Sequence, residues 1–66
     1  MNKEARKLVR AAQKQGWRLD QSRHGHPKLV DPTGEVKIPF SQNPRGRMTE
    51  TAKKMARHGF DMTGAL

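Results

Sequence analysis

The chain has 66 residues, 32% of them hydrophobic and 30% charged, which allows one small domain with a thin core and no second one. It has no cysteine, so a disulfide framework and a thiolate metal site are both excluded, and no apolar run approaches the length of a membrane span. The 14 Lys and Arg against 6 Asp and Glu give a formal charge of +8, which draws polyanions by counterion release and long-range steering.

Met1-Asn2-Lys3-Glu4 leads directly into a charged helical pattern with no apolar signal-peptide core, so a cytoplasmic protein is expected. Ala5, Leu8, Val9 and Ala12 recur at helical spacing, with Lys3, Arg6, Lys7, Arg10 and Lys14 on the opposite side of the wheel. This predicts an amphipathic helix over residues 3–15, capped by Asn2 and stopped by Gly16, with Trp17 folding back on the last turn. The helix lacks the bulky apolar face of an interfacial membrane helix, so no membrane partner is expected.

Trp17, Leu19 and Gln21 alternate with Arg18 and Asp20, the period of a half-buried strand. After a turn over residues 22–25, Pro27-Lys28-Leu29-Val30 reads as a second short strand. Asp31-Pro32-Thr33-Gly34 then has Asp, Pro and Gly where a type I turn prefers them. Val36, Ile38 and Phe40 alternate with Glu35, Lys37 and Pro39 in a third, antiparallel strand, and Pro39 marks an edge. A polar loop over residues 41–47 precedes Met48, Ala52, Met55 and Ala56, the stripe of a second helix that ends near His58-Gly59-Phe60. Residues 61–66 have no periodic signal and read as a loose tail.

The fold class is therefore α+β, in the order α-β-β-β-α, with a three-stranded antiparallel sheet and both helices packed on one face. Trp17, Leu19, Leu29, Val36, Ile38 and Phe40 are expected to point inward, with Met48 and Met55 filling gaps beneath the sheet. The same parity assigns Arg18, Lys28, Lys37 and His26 to the open face. Leu29 and Val30 are both apolar, and a one-residue slip would exchange them.

Four segments of the chain resemble the HicA family of toxins, small ribonucleases that cleave messenger RNA and have a fold like that of double-stranded-RNA-binding domains. They are Gln15-Gly16-Trp17, Arg23-His24-Gly25-His26-Pro27-Lys28-Leu29, Lys37-Ile38-Pro39-Phe40 and Arg57-His58-Gly59-Phe60. The resemblance runs over residues 3–60 and rests on the order of these elements. It implies a metal-independent nuclease without a cofactor, with His26 as the catalytic histidine. It also implies two partners, messenger RNA and a HicB-type antitoxin, the chain being a monomer when free.

Such cleavage needs a group that removes the 2′-hydroxyl proton, a group that protonates the leaving oxygen, and cations that hold the phosphate. His26 can serve as base or acid, with Lys28 and Arg23 beside it in sequence and His24 as a second proton group. Arg18 and Lys37 extend the basic face, and Arg45 and Arg47, just before the second helix, are further phosphate contacts. From periodicity alone the plainer reading of His26 is a turn histidine with no proton to move; the resemblance reverses that preference. His58 suits the C-terminal end of the second helix, and three scattered imidazoles make no metal-ligand spacing. Two other functions fit the composition: a non-catalytic RNA- or DNA-binding module on the same fold, and an adaptor for an acidic protein.

Overall fold

The computed structural model describes residues 1–21, 25–42 and 48–63. Two helices and three strands follow in the order α1 (Lys3–Lys14), β1 (Arg18–Asp20), β2 (Lys28–Val30), β3 (Lys37–Pro39) and α2 (Thr49–Ala56). The strands form one antiparallel sheet with β2 in the middle, so β3, which ends in Pro39, is an edge strand. Helix α1 lies against β1 and α2 against β3.

Helix α1 begins where Asn2 accepts the Ala5 N–H on its side-chain oxygen at 3.1 Å, satisfying one donor of the open first turn. It stops in a Schellman motif: the Trp17 N–H donates to the Ala12 carbonyl at 2.9 Å and the Gly16 N–H to that of Gln13 at 3.1 Å. Gly16 takes φ +89°, the left-handed conformation this stop requires. The same pair of bonds closes α2, from Phe60 to Met55 at 3.2 Å and from Gly59 to Ala56 at 3.3 Å, with Gly59 at φ +92°. The repeated Gly-apolar signal in the sequence is thus one motif used twice. The two apolar residues it turns inward meet edge to face, with Trp17 and Phe60 ring centroids 6.1 Å apart at 81°.

The core unites Ala5, Leu8, Val9 and Ala12 of α1, Leu29 and Ile38 of the sheet, Ala52 and Met55 of α2, and Trp17, Phe40, Met48 and Phe60 at the element ends. Leu19 and Val36 are only half-buried: Leu19 is on β1, an edge strand, and Val36 lies just before β3. Ala56, read as part of the apolar stripe of α2, is exposed in its last turn.

The β2–β3 turn is built as its sequence indicates. The Gly34 N–H donates to the Asp31 carbonyl at 2.9 Å, and the Asp31 N–H to the Val36 carbonyl at 3.0 Å. The Asp31 carboxylate accepts from the Thr33 hydroxyl at 2.7 Å and from the Val36 N–H at 3.0 Å. The Thr33 bond first, then the Val36 amide, hold this carboxyl below its ordinary value, outweighing the burial that pushes the other way. Residues 61–63, expected to trail, are instead tied to the end of α1, and Met62 packs against the core.

Two consequences are measurable. A Cβ added at Gly59 meets no atom within 4 Å, so Gly59→Ala is expected to cost only the conformational strain of a left-handed residue, about 1–2 kcal/mol in urea denaturation; an unchanged midpoint would mean that the second helix stop is dispensable. Because the folded-state value of Asp31 is depressed, its contribution to stability is whole above the ordinary carboxylate value of 3.8 and is lost as pH falls through the lower folded value. Asp31→Ala should therefore melt lower than the parent chain at pH 7, with the gap narrowing below about pH 4. A gap that stays constant down to pH 2 would contradict the assignment.

Candidate nucleic-acid interface

The register sorts the sheet into three rows across the strands. Leu19, Leu29 and Ile38 form the inward row. On the open face, Arg18, Val30 and Lys37 form one row and Asp20, Lys28 and Pro39 the other. Residues directly opposite one another on antiparallel strands share a face, so Arg18, Lys28 and Lys37 do lie together there, all three exposed.

His26 lies two residues before Lys28, at the entry to β2, and is exposed. Its place is fixed from behind by Pro27, whose side chain is fully buried and whose carbonyl accepts the Phe40 N–H at 3.0 Å. His26 precedes β2, so the register places Lys28, and not His26 itself, on the open face. Of the other residues read from the sequence as phosphate or proton contacts, Arg23, His24, Arg45 and Arg47 lie outside the described residues. His58 is exposed in the turn after α2, and α2 separates it from the open face by packing on the inner side of the sheet.

The Leu29 and Val30 ambiguity resolves as parity proposes, although both are buried. Leu29 belongs to the core, whereas Val30, 6% exposed, stands apart from it. Val30 is the floor of a hollow of about 420 Å³ on the open face, flanked by Arg18 and Lys37 in its own row, with Leu19, Asp20 and Gly34 completing the rim. Arg18 and Lys37, opposite Val30 on the neighbouring strands, line this hollow with it.

Asp20 is the feature that a count of cations overlooked. The alternation that put Arg18 on the open face put Asp20 there too, and the register sets it directly opposite Lys28. The positive potential is thus strongest along the Arg18–Val30–Lys37 row, and the Lys28 row holds an acid beside its base. Among the described residues, no three or more His, Asp or Glu side chains come together as a metal-binding group, and no helix is long and apolar enough to cross a membrane.

Compared with known proteins, the chain matches no protein-family model, no curated protein and no solved structure.

Because His26 is exposed and makes no core contact, His26→Ala should leave the thermal melting curve unchanged, within about 0.5 kcal/mol. A large loss of stability would show that the imidazole is structural.

Proposed function

We propose that the chain is a HicA-like toxin, a metal-independent ribonuclease that acts on messenger RNA in the cytoplasm and is neutralised by a HicB-type antitoxin covering the His26 face. The observation that supports this reading best is His26 itself: an exposed imidazole, next to a buried proline and two residues before Lys28, which shares the open face with Arg18 and Lys37.

In this reading the phosphate lies against Lys28 and the Arg18–Lys37 row, whose cations balance the charge that grows on its non-bridging oxygens. His26 acts as general base on the 2′-hydroxyl or as general acid toward the departing 5′-oxygen. The 2′-oxygen attacks phosphorus as the bond to the 5′-oxygen breaks, leaving a cyclic phosphate on one fragment and a hydroxyl on the other. Lys28, opposite Asp20, is better placed to orient a phosphate than to add net charge.

One observation favours a second reading, a non-catalytic RNA- or DNA-binding module. The acid on the open face, Asp20, stands opposite Lys28 rather than opposite His26.

A time course of RNA degradation in EDTA, comparing the parent chain with His26→Ala at matched purity and salt, separates the two. Cleavage by the parent that falls by about 100-fold or more in the variant is the expected result for a lost acid or base. Equal, negligible cleavage by both with salt-sensitive binding retained would leave the binding module.

A further inference from the structure

A second hollow lies away from the sheet. It is a groove of about 590 Å³ along the outer side of α1, lined by Lys3, Arg6, Lys7, Arg10 and Lys14. At 100° per residue these five cations centre on the side opposite Ala5, Leu8, Val9 and Ala12, which face the core. Lys3, Lys7, Arg10 and Lys14 follow at steps of three or four residues, about one 5.4 Å turn apart along a helix of roughly 18 Å, with Arg6 beside Lys7. None of the five is paired with a described acidic side chain.

A charged helix face alone is commonly just a solvated one. Here the chain end makes it concave. The Gln15 side-chain amide donates from Nε2 to the Asp61 carbonyl at 2.8 Å and accepts the Asp61 N–H on Oε1 at 2.7 Å, a two-point clamp across 46 positions of sequence. The Asp61 carboxylate in turn accepts the Thr63 N–H at 2.9 Å, so this acid is bonded within the tail. Thr63 thereby joins Ala11 and Gln15 as the side wall of the groove.

Two classes of occupant fit a row of cations. An acidic protein would need an apolar anchor at the centre of its interface, and here Ala11 is the one hydrophobic residue in the lining. A phosphate chain needs none, and a row of cations about one helical turn apart meets it charge by charge. Because α1 buries its apolar stripe against the inner side of the sheet, this groove opens away from the open sheet face.

We propose that the α1 groove is a second phosphate-chain site, back to back with the sheet face and independent of it, so that one molecule holds two strands. That the natural occupant is RNA rests on the functional reading above; that the groove takes an extended phosphate chain does not.

The test compares charge-matched double variants of the full chain, Arg6→Gln/Arg10→Gln in the groove and Lys53→Gln/Lys54→Gln on the exposed side of α2, with circular dichroism confirming the fold. Each is titrated against a labelled 20-nucleotide single-stranded RNA and against inorganic polyphosphate over a range of salt. The groove variant is expected to lower the slope of log K against log salt for RNA by about 1.4, two contacts' worth, and to halve the strands bound at saturation, while the α2 variant changes neither. Equal losses from both doubles, or none from either, would overturn the groove as a site. Polyphosphate binding weakened selectively by the groove variant, with no RNA binding by any chain, would uphold the groove and defeat the RNA reading. RNA binding lost only in Lys28→Gln/Lys37→Gln, with both probes indifferent to the groove variant, would uphold the RNA reading and defeat the groove.

Discussion

The edge-to-face contact of Trp17 and Phe60 is the constraint on which the rest of this molecule depends. Each ring is delivered by a glycine-terminated helix, so the contact joins the C-terminal ends of α1 and α2 and fixes how both lie on the sheet. Such a pair contributes about 0.5–1.5 kcal/mol beyond the area it buries. In a domain of this size the whole margin of stability is only about 3–5 kcal/mol. The Gln15–Asp61 clamp lies one residue from Phe60 and two from Trp17, so the joint that holds the helices together also shapes the basic groove. Stability and the second charged surface share one corner of the fold.

Most of the architecture was legible because its signals are local. Gly16-Trp17 and Gly59-Phe60 announce helix stops through backbone chemistry that needs no tertiary partner, and Asp31-Pro32-Thr33-Gly34 announces its turn in the same way. Parity correctly separated Leu29 from Lys28 and Lys37, since side-chain alternation is fixed by the pleat. What escaped were effects that cross the chain. Val30 stands opposite Arg18 and Lys37 on neighbouring strands, so an outward-facing valine shares a hollow with residues that a linear pattern counts as polar. The bonds of Gln15 to Asp61 join segments with no shared periodicity, and the tail therefore read as loose.

The candidate site was legible to a different degree. The composition points to a polyanion, and alternation set three cations on one face. Asp20 was visible by the same rule, yet only the register shows that it stands opposite Lys28 and divides the face into a strongly basic row and a compensated one. Charge alone does not distinguish a nuclease from a binding module. That distinction lies in whether a second proton-transfer group comes within reach of His26, a matter of tertiary placement and not of residue type.

Lacking a thiol, this chain meets oxidants through its four methionines. Met55 is fully buried and Met48 nearly so, whereas Met1 and Met62 are half-buried at the rim of the core. Peroxide would reach the rim pair first, and sulfoxide at Met62 would place a polar group beside the clamp that anchors the tail. Sulfoxide at Met55 would put that group among the buried apolar side chains of the core. The order of thioether oxidation thus runs from the tail inward, and the region under the sheet is the last part of the protein to be damaged.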